Sequence, residues 1–169
     1  MNSIFDSQRF QRIRRNHGLE HASIHVLTEK QPRRSIAGHS DSNGFWLFGA
    51  LSLEEARDAV EEALRRLRAG ERQLAVHPNC GTNFVVSGAA AGLFGALSMT
   101  GTGSKRSALL ERLPLAILLS TVALIASRPL GMRLQERVTT SGDPGDLQIV
   151  EIRQSRRGDL VMHRVETRS

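Results

Sequence analysis

Two short histidine motifs hold the residues of this chain that could do metal chemistry. The first, His17-Gly18-Leu19-Glu20-His21, has the pattern H-x-x-E-H. On a helix, side chains four residues apart lie on one face, so His17 and His21 could bind a single zinc ion. Glu20 stands beside the second histidine, where a carboxylate could act as general base on a metal-activated water. The first motif therefore predicts a zinc site with Glu20 as its catalytic residue.

The second motif, His77-Pro78-Asn79-Cys80, begins 60 residues after His17. An imidazole and a thiol three residues apart have a ligand spacing that zinc sites use. A helix starting here would point its positive end at the thiol and stabilise the thiolate. We therefore predict one composite zinc site, with these metal ligands: His17, His21, His77 and Cys80.

The number of ligands decides what such a site can do. If all four residues bind the metal, the site is closed and structural. If His77 or Cys80 stays outside the coordination sphere, an open position remains for catalysis. We interpret His25 and His39 as surface or supporting residues. The alternative is a polar helix face that carries histidine and glutamate without any metal.

Composition limits the partners. The chain has 169 residues and a net charge of +6, which favours contact with anionic lipid headgroups or nucleic acid. Aromatic residues make up only 4% and tyrosine is absent, so stacking platforms for bases, and with them nucleic-acid binding, are not expected. The single cysteine excludes an internal disulfide.

Two uncharged apolar runs, residues 84–104 and 113–127, predict a two-helix transmembrane hairpin, with the lipid bilayer as partner. The alternative is a buried helical hairpin in a soluble core. We see no cleavable signal peptide, and two spans return both ends to one side. This favours the inner (cytoplasmic) membrane with cytoplasmic soluble parts. Gly88 and Gly92 form G-x-x-x-G, which favours close packing against the second helix or self-association with a second copy.

Local patterns give the remaining elements. Helical spacing predicts a helix over 5–29, in which Gly18 is expected where another backbone approaches closely. The Asn43-Gly44 pair predicts a β-hairpin over 33–49. Ser52 and Glu55 form a capping box for an amphipathic helix over 53–69, and two strands are expected over 146–153 and 159–165.

The expected fold class is α+β. A metal-motif helix, a β-hairpin and an amphipathic helix come first, then a two-helix transmembrane hairpin, then a short C-terminal β segment. The expected regions are 1–83 for the helix–hairpin–helix metal-binding region, 84–128 for the membrane hairpin, and 129–169 for the C-terminal linker and β segment.

The two motifs, in this order, resemble those of the YqhQ-like bacterial membrane proteins, a family of unknown function. Its H-G-x-E-H stretch corresponds to His17–His21, and its H-P-x-C-G-T stretch before hydrophobic helices corresponds to His77–Thr82. The resemblance covers about residues 15–30 and 75–100. It implies a membrane protein with a metal site and no established reaction.

The first motif, with its hairpin and amphipathic helix, is also similar locally to the pitrilysin-like zinc peptidases. That family takes a further glutamate ligand well downstream, and the matching stretch around residues 94–100 contains none; the nearest later one is Glu111.

Three functional hypotheses follow. The first is a membrane-anchored zinc hydrolase, peptidase-like, with Glu20 as base. The second is a non-catalytic membrane scaffold or assembly protein with a structural zinc. The third is a basic module on a membrane or RNA, with incidental histidines.

Overall fold

The computed structural model describes residues 7–101 and 106–169. There the chain forms five α-helices and one four-stranded antiparallel sheet, which confirms the α+β class. The start of the expected 5–29 helix and the end of the 84–104 run lie outside the described residues. The elements in chain order are α1 (Gln8–Lys30), β1 (Ala37–Asp41), β2 (Gly44–Phe48), α2 (Leu53–Arg68), a 3₁₀ turn (Arg72–Ala75), α3 (Gly81–Ser98), α4 (Arg106–Ala126), α5 (Arg128–Leu134), a π-helical turn (Gln135–Thr139), β3 (Gln148–Arg157) and β4 (Leu160–Arg168).

The chain divides into two compact units. The first joins Met1–His77 to Glu136–Ser169, and the second is Pro78–Gln135. The expected regions 1–83, 84–128 and 129–169 follow one another along the chain. The two units do not, because the C-terminal strands complete the N-terminal sheet. The strand order is β1-β2-β4-β3, and Phe45 of β2 pairs with Val165 of β4.

The sheet of the first unit packs on two helices through one face. In β2, Phe45 and Leu47 are fully buried while the alternate Trp46 is only half-buried, as expected when strand side chains alternate between faces. Leu19 of α1 and Val60 of α2 lie in the same core. The first motif therefore sits on a helix that this core holds in place.

The ends of α2 follow the expected chemistry. The Glu55 N–H donates to Ser52 Oγ at 3.0 Å, and Glu55 accepts from the Ser52 N–H at 2.8 Å, which confirms the capping box. Hydrogen bonds from Ser52, Gln31 and Arg34 lower the pKa of the Glu55 carboxyl to about 2. Gly70, at φ +97°, follows the helix in a conformation that glycine adopts easily. The Glu55 carboxylate is thus explained by helix capping.

In the second unit, α3 and α4 pack side by side through polar and small residues. Ser120 Oγ donates to the Ala91 carbonyl at 3.0 Å, and Ser127 Oγ donates to Ser87 Oγ at 3.1 Å. Large apolar side chains point away from this contact, and Val85 is 72% exposed. The helix pair therefore buries its polar groups and exposes its apolar ones, the reverse of a soluble core.

Among the helices of the described residues, α4 alone is long and apolar enough to cross a membrane by length and composition. The α3 helix, rich in Gly and Ala, falls short, so the second span of the hairpin stays a prediction. A Cβ added at Gly88 or Gly92 would meet no atom of the described residues within 4 Å. It is Gly95 that faces α4, where a Cβ would lie 2.5 Å from Ser120 Oγ. The G-x-x-x-G face is therefore open.

Gly18 lies where α1 meets the chain after the π-helical turn, which confirms the expected close approach. A Cβ there would lie 2.0 Å from the Ser141 carbonyl oxygen. We expect Gly18→Ala to destabilise the first unit by about 2 kcal/mol, because backbone must move to make room. Trp46, the single tryptophan, reports on this unit during urea unfolding.

Gly88→Ala is the matched control, because it also replaces a helical glycine but meets open space. It should leave the Trp46 unfolding midpoint unchanged. Equal midpoints for Gly18→Ala and the wild type would contradict the close approach of Ser141.

Candidate metal centre

His17 and His21 lie on one face of α1, as their spacing predicts. Their ring centroids are 4.3 Å apart. His21 is buried and His17 is half-buried. Because α1 is held against the sheet by Leu19, the two imidazoles are fixed on a rigid element.

Each of these rings is oriented by a main-chain carbonyl. His17 Nδ1 lies 2.9 Å from the Thr139 oxygen, and His21 Nδ1 lies 2.8 Å from the Ala75 oxygen. A carbonyl oxygen only accepts hydrogen bonds, so both Nδ1 atoms carry the proton. In a neutral ring the lone pair then lies on Nε2, the arrangement of metal-binding histidines whose other nitrogen is held by a supporting group.

Two further histidines of the first unit, His25 and His77, lie near the pair formed by His17 and His21. The His77 ring centroid is 5.8 Å from that of His21 and 4.9 Å from that of His25. Burial, together with the nearby charges of His25 and His21, lowers the pKa of His77 to about 4. His77 is therefore neutral at neutral pH, the form in which histidine binds metals.

Glu20 is buried between α1 and β1. Ser40 Oγ donates a hydrogen bond to Glu20 Oε2, and a Cβ at Gly38 would lie 2.2 Å from Glu20 Oε1. Burial raises the pKa of the Glu20 carboxyl, while the Ser40 hydrogen bond and the charges of His17 and His39 act in the opposite direction. A buried carboxyl with a raised pKa holds a proton more tightly than an exposed one, which is the property that a general base needs.

Cys80 belongs to the second unit, where it is the N-cap residue of α3. The Asn83 N–H donates to the Cys80 carbonyl at 3.0 Å in the first turn. The thiol thus stands at a helix N-terminus, as the sequence indicated. What links it to the histidines is its position in the chain, three residues after His77.

A cavity of about 360 Å³ in the first unit borders the two segments that hold the histidine pair. Ala75, whose carbonyl orients His21, and Thr140, next to the carbonyl that orients His17, both line it. Arg14 spans one wall, donating to the Thr140 carbonyl at 3.0 Å. No histidine is among the described residues that line the cavity, and its polar wall suits a small polar ligand.

Sequence reasoning missed the supporting carbonyls and the part played by His25. The carbonyls of Ala75 and Thr139 have no sequence signature, because any residue supplies one. His25 had a signal, since it continues the i, i+4 series from His21. His39, by contrast, lies exposed on β1, and His163 is fully buried in β4. Neither belongs to the ring series, by which we mean the neighbouring rings of His17, His21, His25 and His77.

Comparison with known proteins gives a family and a relative. A family model described as "Domain of unknown function (DUF6391)" matches residues 12–152, a stretch that includes both motifs and the two apolar helices. An uncharacterised protein of Picosynechococcus sp. is 34% identical over 157 residues, covering 85% of this chain and 72% of the relative. No solved structure matches. The expectation of a family without an established function is confirmed, and the narrower resemblance to YqhQ-like proteins stays a prediction.

Proposed function

This chain belongs to the DUF6391 family, and from that premise we propose that it is a membrane-anchored zinc-binding protein. One observation carries the proposal: the Nδ1 atoms of both His17 and His21 bond main-chain carbonyls. Two imidazoles one helical turn apart, each held through Nδ1 by a main-chain carbonyl, are the ligand arrangement that zinc uses.

His77 and Cys80 are the proposed further ligands. His77 lies beside His21, and Cys80 follows it by three residues, a separation that the chain limits to about 10 Å. A set of two or three imidazoles and one thiolate suits zinc better than calcium or magnesium, which prefer oxygen ligands. Full occupancy by all four residues gives the structural site of a membrane scaffold or assembly protein.

Hydrolysis is the second candidate function, and Glu20 favours it. When bound, zinc supplies a Lewis acid that lowers the pKa of a water. Glu20 would hold the proton that this water gives up, and its buried carboxyl with a raised pKa suits that role. Ser40 would orient the carboxylate, since its hydroxyl donates to Glu20 Oε2. A peptide-like substrate fits the H-x-x-E-H motif best.

The membrane anchor is proposed from the second unit. Its helix pair exposes apolar side chains, among them Phe84 at 66% and Ile117 at 59%, while serines lie at the helix contact. In a bilayer, apolar surface faces lipid and polar groups pair between helices. We propose α4 and α3 as the two spans, in the inner membrane with cytoplasmic soluble parts. The open Gly88 and Gly92 face is the surface for self-association.

The test is metal analysis of the full chain, purified in detergent without chelator. At least one zinc per chain supports the proposal, and the absence of stoichiometric metal contradicts it. Salt-sensitive binding to RNA or anionic vesicles that persists after His17→Ala would favour the basic-module alternative.

Glu20→Gln separates catalysis from a structural site. We expect the zinc content to stay at the wild-type level, because Glu20 is not among the proposed ligands. Hydrolysis of a mixture of fluorogenic peptides should fall by about 100-fold or more, as when a general base is removed. Wild-type protein that binds zinc but cleaves no peptide would favour the scaffold alternative.

The pH dependence of folding stability is a second measurement on Glu20→Gln. The pKa of Glu20 in the folded chain lies above the ordinary 4.5, so the folded state holds the proton more tightly than the unfolded state. The contribution of Glu20 to the free energy of unfolding is therefore fully present below pH 4.5. It is lost as the pH rises through the pKa that Glu20 has in the folded chain. Glu20→Gln should remove this loss and be more stable than the wild type at pH 8, with metal chelated. The control is Glu61→Gln, which replaces an exposed acid of α2. Its stability at pH 8 should equal that of the wild type.

A further inference from the structure

We propose that His25 and His77 form a second zinc position beside the one at His17 and His21. This inference rests on the proposed zinc-binding function and extends it. It also revises the interpretation of His25 as a supporting residue and of His77 as a ligand of the first position alone.

The ring separation of His25 and His77 fits a pair of ligands on one ion. With zinc–nitrogen bonds of about 2.0–2.1 Å and tetrahedral angles, two imidazoles on one ion have centroids roughly 5 Å apart. His17 and His21 are separated by 4.3 Å, and His25 and His77 by 4.9 Å. The His21–His77 separation is larger, at 5.8 Å. His77 therefore pairs better with His25 than with His21.

The proton positions also favour a ligand role for His25. His25 Nε2 lies 3.0 Å from the Val76 carbonyl oxygen. This oxygen only accepts, so Nε2 carries the proton and the lone pair of the neutral ring lies on Nδ1. One short segment thus serves both positions: Ala75 orients His21, Val76 orients His25, and the next residue contributes its own ring.

A single ion cannot use all four rings. His17 and His25 are eight residues apart, which on a helix corresponds to about 12 Å along the axis. Ligands of one zinc ion must come within about 4 Å of each other, as their bonds to the metal are about 2 Å long. The four histidines therefore make two neighbouring pairs, with His21 and His77 adjacent in the middle. An ion at the second position, held by fewer groups, is bound more weakly.

Titration of the metal-free full chain in detergent with Zn²⁺, and separately with Co²⁺, tests the second position. Wild-type protein should bind two equivalents, the second more weakly. His25→Gln keeps a donor for the Val76 carbonyl and removes the imidazole, so it should lose the weaker equivalent and keep the tighter one. His39→Gln, which removes a histidine outside the ring series, should retain both.

The outcomes separate the two proposals. A single equivalent in the wild type would overturn the second position and leave the proposed zinc-binding function intact. Two equivalents that survive in His25→Gln would also overturn it, by placing the second ion elsewhere. No stoichiometric metal at all would overturn the proposed function itself. Cobalt spectra give an independent check, because His25→Gln should change only the absorption that appears with the second equivalent.

Discussion

His21→Gln should weaken zinc binding by about 100- to 1,000-fold. Zinc in small structural sites is bound by about 10–16 kcal/mol in all, so the loss of one protein ligand costs roughly 3 kcal/mol. The glutamine amide can still donate a hydrogen bond to the Ala75 carbonyl, but it offers the metal only a weak oxygen. His17→Gln should have a similar effect, because its Thr139 contact has the same form. Competition with a chromophoric zinc chelator measures the change.

The matched control is His39→Gln, which also removes a histidine of the first unit but one exposed on β1. It should bind zinc as the wild type does. Trp46 fluorescence checks that each variant is folded, since this residue lies in the same unit. Wild-type affinity in both His17→Gln and His21→Gln would overturn the assignment of these residues as ligands.

Ile117→Arg/Leu118→Arg should release the chain from membranes. Both side chains lie in the middle of α4, with 59% and 58% of their surfaces exposed. An arginine at the centre of a spanning helix costs about 2.5–3.5 kcal/mol, so two cost about 6 kcal/mol, roughly a 10⁴-fold shift in partition. We expect wild-type protein in the pellet after carbonate extraction of membranes, and the variant mostly in the supernatant.

Val150→Arg/Leu160→Arg is the matched control, since it introduces the same two charges at exposed apolar positions of β3 and β4 in the first unit. It should remain in the pellet. If the α4 variant stays with the membrane as the control does, α4 is not the anchor. If wild-type protein is extracted by carbonate, the exposed apolar face needs an explanation other than lipid.

Elements built from neighbours in the chain were predictable. The capping box of α2 joins Ser52 to Glu55, three residues away, and the resulting helix differs from the expected one by a single residue. The hairpin of β1 and β2 and the shared face of His17 and His21 are equally local. Helical geometry and turn chemistry act over a few residues, so the sequence is sufficient for them.

Interactions between distant parts of the chain were not predictable. The pairing of β2 with β4 joins residues more than 100 positions apart, and it places the C-terminal strands in the first unit rather than in a segment of their own. Alternation marks Phe45 and Val165 as inward-facing, but many strands could satisfy that pattern. The choice depends on which pairing closes the whole core.

The same division holds for the candidate site. The sequence by itself determined the ligand types: two imidazoles one turn apart, a glutamate beside them, and a His-x-x-Cys motif before an apolar helix. Only the tertiary structure decided that carbonyls from Ala75 and Thr139 hold the histidine rings, that Glu20 meets Ser40, and that the His77 ring lies beside the His25 ring. The physical reason is that side-chain chemistry and helical spacing are local, whereas the partner of each buried polar group is set by which distant backbone the fold brings against it.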